Sequence, residues 1–183
     1  MRLIRYIFVF VLLTLFTANK AEAFEWSRWY SDLKTNIADT WHCGRLDAYV
    51  PFYAWHNRMF YDDDHIRKYN EEAWGFGLGK GLWDGNEWHG LYFMAFKDSN
   101  FYLETMFGYG YQYNWSLSED GDWKFGLGYT LGFTQRHEYS YIPVPLPLPV
   151  ASLTYDRFSL QAAYVPGIKN NGNVLFMWLK FSF

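Results

Sequence analysis

Cysteine is almost missing: Cys43 stands alone among 183 residues, so no internal disulfide can staple this fold. Histidine and cysteine nowhere fall at metal-binding spacing; the five histidines are scattered, and neither a metal nor a cofactor is expected. Positive charge is also scarce, with 16 Lys and Arg against 19 Asp and Glu and a formal net charge of −3. That balance argues against nucleic acid as a partner. Beyond the first 23 residues no apolar run approaches the roughly 18 that a membrane-spanning helix needs.

The first residues read as a targeting segment. Arg2 and Arg5 precede the apolar run Tyr6–Phe16, and Ala21-Glu22-Ala23 supplies small residues at a cleavage site. Residues 1–23 are expected to be a secretory signal peptide, cleaved to leave a chain starting at Phe24. Its 160 residues would carry 13 basic and 18 acidic side chains, a net charge of −5, and suit one domain.

What is abundant is aromatic: Phe, Trp and Tyr make up 23% of the chain. In residues 24–41, Trp26, Trp29, Tyr30, Leu33, Ile37 and Trp41 recur mostly at three- and four-residue spacing, with Arg28, Asp32, Lys34 and Asp39 between them. That pattern predicts an amphipathic helix. It suits a helix lying in a membrane interface and equally one packed on a soluble core.

Eight strand-like segments follow, at about 46–60, 74–83, 87–98, 102–115, 122–136, 140–155, 157–166 and 173–183. Asp84-Gly85-Asn86 and Glu119-Asp120-Gly121 are tight-turn signals, whereas Asn57–Glu72 and Gly167–Gly172 are longer polar links. An even strand count with short and long connections is the pattern of an outer-membrane β-barrel.

Three strands repeat one parity. Gly75, Gly77, Gly79 and Gly81 alternate with Trp74, Phe76, Leu78 and Leu82; Gly108 and Gly110 with Phe107, Tyr109 and Tyr111; Gly126, Gly128 and Gly132 with Phe125, Leu127, Leu131 and Phe133. Successive side chains face opposite sides of a sheet, so each strand has one bulky apolar face and one bare face. A soluble sandwich could not fill its core this way. With the bulky faces turned to lipid, the bare faces predict a hollow bore that holds a guest. In the last strand Ser182, Lys180, Trp178, Phe176 and Val174 share the inner face, which turns apolar away from the C-terminus. A hydrocarbon chain would suit that bore.

Proline is concentrated. Pro143, Pro145, Pro147 and Pro149 fall in the sixth strand and Pro166 ends the seventh. Proline cannot donate to a ladder, so the wall is expected to open between strands six and seven, as a lateral door for a lipid. If both termini are periplasmic, His56 and the pair Asp98-Ser99 come to one outer rim. These are the parts of a nucleophile, base and orienter arrangement.

Ala54-Trp-His-Asn-Arg58, Trp88-His-Gly-Leu-Tyr92, Met94-Ala-Phe-Lys-Asp-Ser99, Tyr141-Ile-Pro143 and the run Pro166–Val174 resemble the lipid A palmitoyltransferase family (PagP type) of Gram-negative outer membranes, in order along the mature chain. The resemblance implies an all-β fold: an eight-stranded antiparallel transmembrane barrel over 46–183 behind an amphipathic helix. It implies transfer of a palmitoyl chain from a glycerophospholipid to the lipid A part of lipopolysaccharide, at a rim facing the cell exterior, with resistance to cationic antimicrobial peptides as the outcome. It implies a monomer, without cofactor. His56, Asp98 and Ser99 match the family's essential His, Asp and Ser; Gly110 matches its acyl-chain ruler. Pro149 and Pro166 match the opening for phospholipid entry. Pro51 matches one side of the opposite opening, whose second proline is Ala73 here.

In the expected chemistry His56 is the general base, Asp98 orients or charge-stabilises it, and Ser99 is the nucleophile or activates the acceptor hydroxyl. On an extended strand Asp98 and Ser99 would point to opposite sides, so the strand must end or bulge between them. A lipid A deacylase or phospholipase would need similar residues but pass the acyl group to water. A small structural barrel would fill its bore with side chains.

Overall fold

The computed structural model describes residues 25–183. The expected signal peptide, residues 1–23, lies outside the described residues. An α-helix runs Trp26–Cys43, two residues beyond the expected end. It divides between two compact units at Thr35 and Asn36. In its second half the Thr40 hydroxyl donates to the Asn36 carbonyl at 2.7 Å, and the Thr40 carbonyl takes the Gly44 N–H that ends the helix.

The larger unit is a barrel of β1 (Arg45–His56), β2 (Gly75–Asp84), β3 (Glu87–Lys97), β4 (Leu103–Ser116), β5 (Trp123–Gln135), β6 (Val144–Tyr155), β7 (Phe158–Val165) and β8 (Val174–Ser182). Neighbours in sequence are neighbours in space, every pair is antiparallel, and β1 closes on β8. Gly85 and Gly121 take φ of +57° and +77° in two of the short turns, where a side chain would be strained. Phe76, Leu78, Phe93, Leu127, Phe133, Leu160 and Leu179 stand exposed on the outside. A continuous apolar belt on a closed barrel is what a hydrocarbon surround requires.

Two predicted boundaries move. β1 stops at His56 rather than reaching residue 60, and the link after it contains a short helix, Asp63–Lys68, capped by the Asp62 carboxylate on the His65 N–H. β6 starts at Val144 rather than 140, because a 3₁₀ turn at His137–Tyr139 leads into Ser140 and Tyr141 with φ of +50° and +58°.

The bore is not the glycine-walled tube that the parity suggested. Large inward side chains take up much of the room that the glycines leave. A Cβ on Gly79 would lie 2.9 Å from the Tyr49 ring, one on Gly90 2.2 Å from Trp88, and one on Gly132 2.7 Å from the Tyr92 hydroxyl. Tyr49, Met94, Trp88 and Trp178 are buried and fill the middle of the barrel. Toward the chain-terminal end of the bore the lining becomes polar, with Lys180 3.7 Å from Asp47 and both side chains enclosed. Space remains at the opposite end: a cavity of about 580 Å³ lined by Met106, Leu146, Leu148, Val165 and Phe176, with His56, Asp98 and Arg136 at its polar side.

Two seams of the wall are unpaired at this same end. β6 and β7 pair only from Val150↔Ala163 to Tyr155↔Phe158, and β1 and β2 only from Arg45↔Gly81 to Tyr49↔Gly77. Beyond those points each pair separates. Leu148, Val165 and Pro166 bring the first seam to the cavity, and Ala54 and Ala73 bring the second.

Candidate active site

β3 ends at Lys97, which resolves the parity conflict: Asp98 and Ser99 belong to a turn, not to the strand. Asp98 builds that turn. Its Oδ1 accepts the N–H groups of Asn100 and Tyr102, each at 2.8 Å, while its own N–H donates to the Tyr102 carbonyl. Phe101, at φ +67°, takes the left-handed position that the reversal needs. Asp98 is the side chain of choice here because a short carboxylate can reach two backbone donors ahead of it.

The turn is fastened to the link between β1 and β2. The Asn70 N–H donates to the Ser99 carbonyl at 2.8 Å, and the Asn70 amide group donates to the Asp98 carbonyl at 3.2 Å. With its backbone held in this way, Ser99 places Oγ 3.0 Å from His56 Nε2. His56 closes β1 at 1% exposure, its ring against Tyr61 edge-on at 5.0 Å and stacked on Tyr69 at 5.1 Å.

The sequence expectation placed Asp98 on His56 as its orienting group. No hydrogen bond joins the two side chains in the structure. Asp98 spends Oδ1 on its own turn, and its Oδ2 has no hydrogen bond, the nearest cation being Arg136 at 3.6 Å. The group on the other His56 nitrogen is Glu71, whose Oε1 is 3.2 Å from Nδ1. Sequence reasoning passed over Glu71 because it lies in a polar link 15 residues from His56. No local pattern marks it, because its partners Tyr53, His56 and Arg58 lie 18, 15 and 13 residues away along the chain.

Arg136 follows β5 and faces Asp98, Glu104 and Glu138 at 3.3 to 3.7 Å. Burial opposes its charge, but those three carboxylates more than offset it and hold the guanidinium above its ordinary value.

The other anticipated residues fall into two places. Pro149 lies beside the last β6–β7 pair and Pro166 follows the end of β7, so both flank the β6–β7 seam. Pro51 pairs with Trp178 across β8, at a bulge between Pro51 and Tyr53, two residues past the last β1–β2 pair. Gly110 is in mid-barrel on β4, where a Cβ would meet the Trp88 ring at 3.3 Å. It lines a narrow slot with Tyr49, Tyr92, Met94, Val150 and Trp178. No cluster among the described residues could hold a metal ion.

Comparison with known proteins converges on one family. Residues 36–180 match the family described as "Antimicrobial peptide resistance and lipid A acylation protein PagP". A Lipid A acyltransferase PagP of Yersinia enterocolitica is 50% identical over 152 residues, 82% of this chain and 74% of that one. One from Cronobacter sakazakii is 47% identical over 184 aligned residues, 97% of this chain and 95% of the other. Among solved structures, the Yersinia pestis outer membrane protein Ail matches with a TM-score of 0.39 at 13% identity, covering 76% of this chain and 99% of Ail. On the family match and these two relatives, the chain belongs to the PagP family.

Proposed function

We propose that this protein is an outer-membrane acyltransferase that moves a palmitoyl chain from a glycerophospholipid to the lipid A part of lipopolysaccharide. The observation that carries the reading is a Ser99–His56 pair, 3.0 Å apart, with His56 on the wall of a half-apolar cavity that meets two seams where the strands are unpaired. The donor enters sideways through the β6–β7 seam and lays its acyl chain into the cavity. Each methylene removed from water contributes about 0.8 kcal/mol, so the long saturated chain provides much of the binding. Gly110 and Trp88 limit how deep it goes.

At the mouth, His56 Nε2 takes the proton of the Ser99 hydroxyl as Oγ attacks the ester carbonyl. When the intermediate collapses, the same proton passes to the departing glycerol oxygen. An acceptor hydroxyl of lipid A then gives its proton to His56 and attacks the acyl carbon, and His56 returns that proton to Ser99 Oγ as the acyl group leaves it. Asp98 serves by shaping the turn that presents Ser99, with Arg136 beside it. This rim faces the cell exterior, where lipid A is found, and each barrel carries the whole site within one chain, so it works as a monomer. The added chain makes the outer leaflet more resistant to cationic antimicrobial peptides, in keeping with the family's description.

The test is the mass of lipid A from cells carrying the protein or its Ser99→Ala variant. A gain of one palmitoyl chain that disappears in Ser99→Ala, while the barrel keeps its heat-dependent gel mobility, supports the reading. Loss of an acyl chain from lipid A would make it a deacylase instead, and full palmitate incorporation by Ser99→Ala would remove Ser99 from the chemistry.

A further inference from the structure

Glu71 carries more hydrogen bonds than a link residue needs. Its Oε1 receives the His56 backbone N–H at 2.9 Å and one Arg58 nitrogen, and lies on His56 Nδ1; its Oε2 receives the Tyr53 hydroxyl at 2.9 Å and the other Arg58 nitrogen at 2.7 Å. Its backbone carbonyl takes the Ala54 N–H, also at 2.9 Å. Ala54 and His56 lie on the part of β1 that β2 has left, so Glu71 occupies the edge that the missing strand would have paired.

A carboxylate that receives this many donors is an acceptor only. The hydrogen of the His56 ring must then sit on Nδ1, and Nε2 keeps its lone pair toward Ser99. Burial would raise the Glu71 carboxyl, but the hydrogen bonds from Arg58, the His56 N–H, Tyr53 and the His56 ring prevail and hold it down at about 2. It is ionised at neutral pH. Asp98 offers no such contact, since its free oxygen faces Arg136.

We propose that Glu71 is the positioning residue of this site: it fixes the tautomer and orientation of His56 while bolting shut the β1–β2 seam. The proposal rests on the acyl-transfer reading above. It also has a consequence for access. A substrate that parts the β1–β2 seam beside Ala54 must displace Glu71 from His56, so the base is aligned only while that seam is closed. Glu71 touches no reacting atom and reaches the chemistry only through His56.

The experiment uses the full barrel in mixed micelles of phospholipid and lipid A. Palmitoyl transfer is measured beside the ¹⁵N signals of the His56 ring in the parent, Glu71→Gln, Glu71→Asp and Asp98→Asn. Glu71→Gln should lower kcat on the order of 100-fold, the scale of a misaligned general base, with KM changed by less than about threefold. Glu71→Asp should recover part of the loss, because a carboxylate is restored. The ring should hold its proton on Nδ1 in the parent and in Asp98→Asn, and divide between both nitrogens in Glu71→Gln. If Glu71→Gln does not fold, Glu71→Asp decides the matter: a fall in kcat with a shifted tautomer ratio supports the proposal, and parent-like values of both overturn it. The proposal also falls if Glu71→Gln keeps the parent kcat, or if the tautomer is lost in Asp98→Asn and kept in Glu71→Gln. Activity in Ser99→Ala is a separate result, and it would overturn the acyl-transfer reading itself.

Discussion

The two seams at which this barrel's strands are unpaired have opposite chemistry. Along β6 the ladder to β5 runs unbroken from Thr134↔Val144 to Trp123↔Tyr155. Proline cannot donate, so Val144, Leu146 and Leu148 supply the β6 donors to β5, and Pro145, Pro147 and Pro149 fall on the edge facing β7. That edge has been stripped of donors and can stand open without leaving N–H groups unsatisfied. The edge of β1 keeps its donors, and they are taken up by Glu71. One seam is therefore open by covalent structure, and the other is closed by a residue that can be moved. A barrel wall can be interrupted by removing hydrogen-bond donors or by lending them to a link. Here the second also touches the base, through Glu71 and His56.

The largest effect should come from giving the β6 edge its donors back. Replacing Pro145, Pro147 and Pro149 together by alanine would let this edge zip toward β7. At about 1 kcal/mol for each hydrogen bond gained, transfer should slow on the order of 100-fold. Amide exchange on β6 should slow with it. Unchanged transfer would mean that the donor does not enter by this seam.

A middle-sized effect is expected in the mid-barrel slot that Gly110 lines. Gly110→Met would fill the slot against Trp88 and shorten the space for the acyl chain. The preferred donor should become shorter, at about 0.8 kcal/mol for each methylene excluded, or roughly fourfold in selectivity. A donor series of graded chain length reads this directly, and an unchanged preference would show that Gly110 is not the depth limit.

The smallest effect concerns the bolt itself. The Glu71 carboxyl is held at about 2, below its ordinary 4.5. A carboxyl depressed in the folded state stabilises that state fully above its unfolded value. The contribution is lost as pH falls from about 4.5 through 2. Hydrogen exchange at the Ala54 and His56 amides, measured down a pH series and corrected for intrinsic rates, should accelerate within that window. The β6–β7 seam, which has no such carboxylate, should show no matching change.

These contrasts also show what a sequence can reveal. Strand number and register follow from two-residue alternation, which is local, and the β6–β7 seam was legible because proline carries its effect within one residue. His56 and Ser99 were placed at one rim by counting strands. Their alignment was not visible, because it depends on a turn built by Asp98 and a link pinned by Asn70. Glu71 remained hidden for the same reason: nothing in its neighbourhood along the chain marks a carboxylate that works on a histidine 15 residues earlier. The glycine pattern correctly gave the barrel's outer face but misled about its inside, where Tyr49, Trp88 and Tyr92 use the space that the glycines leave.

The most direct test of the account follows one labelled chain. Phospholipid carrying an isotopically labelled palmitoyl group is mixed with lipid A and the purified barrel, and the label is traced by mass spectrometry. The account predicts that it appears on lipid A, with lysophospholipid formed in equal amount, and that both products vanish in Ser99→Ala. Release of the label as free palmitate, or undiminished transfer by Ser99→Ala, would contradict it.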